Sequence, residues 1–382
     1  MNLPGKLPLI CNNGMPLLPK NLLIIHPGAF GDGLLALPAI RVLEATFPGH
    51  HLIWFGHEEL GALLVAAHEV HQSYSFDRLE VLTYRGTNNS QQEKILSIMR
   101  RCDRAIGWLE DKDGIWRSWL GEAGIQDCIF RSPHDKTLLN HHMLDRYVEI
   151  LKPWVQTKHF LRGLDINRNL TGPLVFPSNL GRLPSPIKEP LILLHVGSGS
   201  RYKCASPELW ASIVKGLRMA QPKWNICLIE GPADNDSVRN VQCLLTHFEY
   251  GILTGMDLVQ IGQYLQHAKL FIGHDSGLSH LAASFGVPSV LLFGPTDPEK
   301  WAPRGTHVAV IRKFCYCLEK AASAHCMDMP CLSFSQAEVL ANVEDVLSGV
   351  KASVTCPSFE CVDEAFTVPC LGQNAVLHSP RS

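Results

Sequence analysis

Apolar residues in this chain fall into two patterns. Some form short continuous runs of about five residues; others recur every three or four positions among polar ones. The first pattern predicts buried strands and the second helices with one apolar face. "NLLIIH" (21–26) reads as a strand, and "GLLALPAIRVLEATFPG" (33–49) as a helix ended by Pro48-Gly49. "HLIWFG" (51–56) is a second strand and "ELGALLVAA" (59–67) a helix. From Ser73 to Cys128 the pattern weakens, with "QQEKILSIMRRC" as a helix and "RAIGW" as a strand. "LLNHHMLDRYVEILKPW" (138–154) predicts a strong helix. The pattern then restarts. "LILLHVG", "WNICLIEG", "KLFIG", "VPSVLLFG" and "HVAVIR" read as strands, with "SPELWASIVKGLRMAQ", "DLVQIGQYLQHA", "GLSHLAASFG" and "SQAEVLANVEDVLSGV" as helices.

Two successive βαβ series imply an α/β protein with two Rossmann-like domains facing a cleft. The expected boundaries are a loose N-terminal extension (1–20), a first domain (21–165), a Pro-rich linker (166–190), a second domain (191–350) and an irregular tail (351–382). The length of 382 residues suits two domains. A net charge of −2 gives no support for nucleic-acid binding. Apolar stretches are short and broken, so no transmembrane span is expected. The first residues hold Pro4, Pro8, Pro16 and Pro19 and lack the apolar stretch of an export signal. With no such signal, the scattered cysteines among the thirteen present read as reduced thiols of a cytoplasmic protein.

Chemistry concentrates where strands turn into helices. In open α/β sheets that is the carboxyl end of the strands, where ligands bind. In the first half the turn is "HPGAFGDGLLALPA", with Gly28 and Gly31 spaced for a tight approach and Asp32 beside them. Asp32 is either a helix N-cap or a functional carboxylate. Its G-x-x-G-x-G spacing is not a dinucleotide fingerprint. In the second half, "HVGSGSRYK" offers Ser198, Gly199, Ser200, Arg201 and Lys203 as a phosphate cradle, or else a polar surface loop. "EGPADND" places Asp234 just past a strand, where it either accepts from ribose hydroxyls or sits in a solvated turn. "GHDSGLSH" puts Asp275, Ser276 and Gly277 at a helix start suited to phosphate. His280 lies one turn on, over the same face as Ser276.

"LLIIHPGAFGDGLLALPAIRVLEATFPG", "LLHVGSGSRYK", "IEGPAD" and "FIGHDSGLSHLAASFGVPSVLLFGPTDPEKWAP" together resemble the landmark motifs of glycosyltransferase family 9, the ADP-heptose:lipopolysaccharide heptosyltransferases. The resemblance spans about residues 21–345 and follows the family's order and spacing. It implies a GT-B fold with the acceptor on the first domain and the nucleotide-sugar donor on the second. It also implies inverting transfer without metal or other cofactor. Asp32 then matches the catalytic aspartate, with His26 next in line as a base. Ser198, Gly199, Ser200, Lys203, Asp234, Asp275, Ser276, Gly277 and His280 match the donor side. Gly31 and Arg85 fall to the acceptor side, with Lys94, Arg100, Arg101 and Arg104 either as further cations for an anionic acceptor or as a solvated helix face. The partners implied are an ADP-sugar and a lipopolysaccharide precursor at the inner-membrane surface, met by a cytoplasmic, peripheral enzyme.

Two departures stand out. "KCASPELW" has Ala205-Ser206 where the family has a tryptophan, and Asp234 stands where Glu is usual. Two D-x-D strings, 111–113 and 234–236, carry the alternative of a metal-dependent enzyme of another fold. A GT-B epimerase, a transferase using another nucleotide sugar, and a non-catalytic nucleotide-sugar binder are the remaining readings. Cys315, Cys317, Cys326 and Cys331 do not follow a common zinc-ribbon spacing; they are reduced thiols, paired thiols or a small structural metal site.

Overall fold

The computed structural model describes residues 20–82, 89–155, 172–178, 180, 183, 186, 188–305, 307–313 and 329–349. The first half holds a five-stranded sheet of β1 (Asn21–Ile25), β2 (His51–Gly56), β3 (Gln72–Ser75), β4 (Cys102–Gly107) and β5 (Asp127–Phe130). Its order is β3-β2-β1-β4-β5, and all pairs are parallel. The second half holds β6 (Leu191–His195), β7 (Asn225–Glu230), β8 (Gly251–Thr254), β9 (Ala268–His274), β10 (Ser289–Phe293) and β11 (Val308–Arg312). Its order is β11-β10-β9-β6-β7-β8, again parallel throughout. In each sheet the order reverses beside the first strand, between β1 and β4 and between β6 and β9. Crevices that bind ligands form at such reversals.

Central strands are buried on both faces. Leu22 to Ile25, Leu193, Leu194 and Leu270 to Ile272 are fully inaccessible to solvent. This is why they read as unbroken apolar runs. The predicted helix 33–49 is two helices, Phe30–Leu35 and Leu37–Thr46. Pro38 has no N–H to continue the first and sits in the opening turn of the second. The predicted helix 138–154 shrinks to Met143–Ile150. His142 caps it, Nδ1 accepting from Leu144 N at 3.2 Å. The Glu149 carboxylate takes the N–H groups of Leu139 (3.2 Å) and Asn140 (3.1 Å), which folds 138–142 into a loop.

That loop and the helix after it pin the two halves together. Asp145 receives a bidentate contact from Arg304 at 2.8 and 2.7 Å. His142 Nε2 meets Ala302 O at 2.9 Å, and His141 Nε2 meets Asp297 Oδ2 at 2.9 Å. Deeper in, the helix from Phe30 packs on the helix Gly277–Ser284. A Cβ on Gly31 would stand 3.1 Å from the Gly277 Cα, and one on Gly277 would intrude on the Phe30 ring. The two halves approach here as closely as backbone allows.

No helix among the described residues is long and apolar enough to cross a membrane. Arg85, Cys315, Cys317, Cys326, the expected extension and the expected tail lie outside the described residues, save Lys20. Cys331 is buried.

The Gly277–Phe30 contact has a measurable consequence. Gly277→Ala should destabilise the protein by about 1–3 kcal/mol through overpacking. Adding Phe30→Ala should return part of that loss, giving a coupling of about 0.5–3 kcal/mol in a double-mutant cycle. Strictly additive unfolding energies would refute the contact.

Candidate active site

One cavity of 560 Å³ opens between the two halves. From the first half it is lined by Ala29, Phe30, Gly31, Asp32 and Leu35. From the second come Ser198, Gly199, Ser200, Lys203, Asp275, Ser276, Gly277 and His280, with Thr296 and Trp301 at its rim. Its size suits a ligand of nucleotide-sugar class. Of the residues singled out in the sequence, Gly28, Arg201, Asp234 and the cations Lys94, Arg100, Arg101 and Arg104 do not line it, and Arg85 is outside the described residues.

Asp32 is not the N-cap. Ala29 holds that position, and Asp32 lies in the first helical turn. Its half-buried carboxyl is pushed above the ordinary aspartate value by burial, with Asp275 adding to the rise. His134, a hydrogen bond with the Ala29 backbone and Lys203 pull it partly back. A carboxylate with raised pKa in a cleft is suited to taking a proton. His134 had no signal in the sequence; it comes from the loop after β5 and stands 6.0 Å, ring to ring, from Trp301.

The fallback base, His26, is excluded by its surroundings. It is 1% exposed and stacks on Trp54 and Tyr147. Gly28 N donates to its Nδ1 at 3.2 Å, so its proton sits on Nε2, which meets Tyr147 OH at 3.0 Å. Burial lowers its pKa to about 4. It is a neutral brace under the turn that carries Asp32.

On the opposite wall, Lys203 Nζ donates to Asp275 Oδ2 at 2.6 Å. Ser198 Oγ donates to Asp275 O at 2.9 Å, tying the loop after β6 to the end of β9. Ser276 precedes the helix Gly277–Ser284 with extended backbone and no side-chain cap, leaving its first N–H groups turned toward the cavity end. His280 is buried, and burial lowers its pKa to about 4 against the pull of Asp275. It faces the cavity as a neutral ring. Together these groups form a wall able to hold an anion, with one ammonium and a helix start.

Asp234 turns inward. It is 6% exposed, and its Oδ2 meets His195 Nε2 at 2.9 Å and Gly231 N at 3.0 Å. The other D-x-D string is also structural: Asp111 accepts from the N–H groups of Trp116 (3.0 Å) and Arg117 (3.2 Å). Among the acceptor-side cations, Arg104 pairs with Asp127 and lies over Phe47, and Arg100 pairs with Glu93.

Comparison with known proteins gives the family. Residues 122–329, more than half of the chain, match the model of glycosyltransferase family 9 (heptosyltransferase). The chain belongs to that family. It is 21% identical over 300 residues to lipopolysaccharide heptosyltransferase 3 of Escherichia coli K12, covering 72% of this chain and 82% of that one. The family 9 glycosyl transferase from Veillonella parvula DSM 2008 superposes with a TM-score of 0.64 at 19% identity, over 88% of this chain and 99% of that one. The E. coli ADP-heptose lps heptosyltransferase II gives a TM-score of 0.60 at 19% identity, over 87% and 100%. At such identities the likeness is one of fold, and the fold is GT-B. The protein is a glycosyltransferase.

The buried neutral imidazoles give the site a pH signature. His26, His274 and His280 have folded pKa values of about 4, 3 and 4, below the unfolded value of about 6.5. The unfolded chain binds protons more readily in that window, so stability falls as pH drops from about 6.5 towards 4. Melting temperature against pH should therefore decline below about 6.5, and His280→Gln should flatten that decline. An unchanged slope in His280→Gln would mean that the ring takes up protons as readily in the fold as in the unfolded chain.

Proposed function

We propose that the chain is an inverting, metal-independent transferase. It moves a heptose from ADP-heptose to an inner-core lipopolysaccharide acceptor. One observation carries the reading: Asp32 and the wall of Lys203, Asp275, Ser276, Gly277 and His280 face one cavity. A transfer needs a base on one side of the anomeric carbon and charge stabilisation of the leaving group on the other.

In this reading the donor diphosphate lies along the Ser198–Ser200 loop and the start of the helix at Gly277. Lys203 turns from Asp275 to share the phosphate charge. The acceptor hydroxyl attacks the anomeric carbon as Asp32 takes its proton. The bond to the phosphate oxygen breaks on the opposite face, and ADP leaves with the electron pair. The ammonium and the helix N-terminus supply the positive character that a divalent ion supplies elsewhere. Asp234, committed to His195 and Gly231, supports this wall from behind. The acceptor approaches past Phe30, Trp301 and His134. A neighbouring groove of 670 Å³ shares Ala29 but is lined by Glu58, Glu59, Asp77 and Asp257, and so is ill suited to an anionic acceptor. The enzyme works in the cytoplasm, meeting its lipid-linked acceptor at the inner-membrane face.

The experiment incubates the protein with ADP-heptose, with and without lipid A-core extract, and reads released ADP and the sugar product. Release should require the acceptor and survive excess EDTA. Asp32→Asn should lower turnover about 10²–10⁴-fold, the usual contribution of a general base, with ADP affinity unchanged. Isomerised sugar nucleotide without acceptor would instead make it an epimerase. Activity lost to EDTA and restored by magnesium would end the metal-independent reading.

A further inference from the structure

Behind the cavity wall lies a buried chain of hydrogen bonds that direct donor contacts do not use. Asp234 Oδ2 meets His195 Nε2 at 2.9 Å, and His195 Nδ1 meets Ser276 Oγ at 3.2 Å. His195 and Asp234 are 3% and 6% exposed, whereas Ser276 lines the cavity. The chain thus runs from a buried carboxylate, through an imidazole, to a hydroxyl at the proposed diphosphate position.

The direction of each proton follows from the donor and acceptor inventory. Burial works against ionisation of Asp234, but its contacts with His195 and the Gly231 N–H outweigh it and hold the carboxyl below its ordinary value. An ionised Asp234 can only accept, so His195 carries its proton on Nε2. A neutral His195 then has a bare Nδ1, which takes the Ser276 hydroxyl proton. In that state Ser276 shows only lone pairs to the cavity, and lone pairs repel phosphate oxygens. Ser279 offers no way out, because its hydroxyl is already donated to His274 O and can only accept from Ser276, 3.4 Å away. If His195 carries a second proton on Nδ1, the direction reverses. Nδ1–H donates to Ser276 Oγ, and the serine O–H is released to donate to an anion.

We infer that His195 takes one proton from solvent when an anionic diphosphate enters the cavity, turning Ser276 into a donor. The inference rests on the donor site proposed above. The only bond made is Nδ1–H. The Asp234 carboxylate and the bound anion balance the imidazolium charge from its two sides. The other ionisable groups about His195 leave this role to it. His274, on β9, keeps a fixed neutral form, with Nε2 accepting from Ala205 N at 2.8 Å and Nδ1 meeting Gly197 O at 3.2 Å. Asp275 is paired with Lys203 before the anion enters, and its backbone carbonyl is held by Ser198 Oγ. Burial pushes the Cys204 thiol up to about 11. His195 and Asp234 are accordingly positioning residues; Ser276 is the one that touches the ligand.

ADP is the probe, and calorimetry is the readout. At pH 8, where ADP is already fully ionised, binding is measured in buffers of different ionisation enthalpy to count protons. The wild type should take up close to one proton. Asp234→Asn keeps an oxygen for Gly231 N and His195 Nε2 but removes the charge. It should take up almost none, bind ADP about 10- to 100-fold more weakly at pH 8, and recover most of that loss at pH 6. His195→Gln should bind weakly at both pH values. Melting temperatures check that each variant is folded. Equal proton uptake in wild type and both variants would overturn the relay. So would an Asp234→Asn defect of the same size at pH 6 and pH 8, since a purely structural role has no pH rescue. ADP binding that Lys203→Ala leaves unchanged would overturn the donor site and the relay together.

Discussion

Everything at the candidate site depends on two backbones touching. Gly31, in the first turn of one domain's helix, and Gly277, at the start of the other's, meet with no room for a side chain. The outer edge of the Phe30 ring fills the space that a Gly277 side chain would need. The absence of a Cβ at both positions lets the carboxyl ends of β1 and β9 close on one cavity. A methyl group on Gly31 would press on the Gly277 backbone, and one on Gly277 would have to displace the Phe30 ring. The pins at the rim, Arg304–Asp145 and His142–Ala302, act at longer reach and hold Trp301 over the opening.

Buried histidines serve this arrangement in three different ways. His26 is clamped neutral between Gly28 N and Tyr147 OH and fixes the turn of Asp32. His274 is clamped neutral between Ala205 N and Gly197 O and fixes the two loops of the opposite wall. His195 differs, because one of its partners is a carboxylate and the other a hydroxyl facing the cavity. A backbone N–H on one ring nitrogen locks His26 and His274 in a single neutral tautomer, whereas the inferred relay uses the carboxylate beside His195 to balance an added proton. The same residue type is thus a brace in two places and a responsive group in one.

Much of this was legible in the sequence, and the misses share a cause. Central strands such as "NLLIIH" and "LILLH" are buried on both faces and read as apolar runs. β3, β5 and β8 escaped the pattern; all three are four-residue edge strands with one neighbour each, so polar residues are tolerated. The helix Asn235–Leu244 was hidden by its polar surface. At the site, the strand-to-helix turns announced themselves through glycines, and Asp32, Lys203 and His280 fall together at one cavity. Asp234 misled because a carboxylate after a strand looks the same whether it faces a ligand or a buried histidine. His195 and His134 gave no local signal, since their importance comes from residues far away in the chain.

The central claim is that this inter-domain cavity is the donor site. The most direct measurement is a crystal structure with ADP bound. The account predicts the diphosphate between Lys203 and the N–H groups at the start of the Gly277 helix, within hydrogen-bond distance of Ser276 Oγ, with Asp32 facing the open side of the β-phosphate. A diphosphate seated instead in the groove of Glu58, Asp77 and Asp257, or one that leaves Lys203 on Asp275 and lies out of reach of Ser276 Oγ, would contradict it.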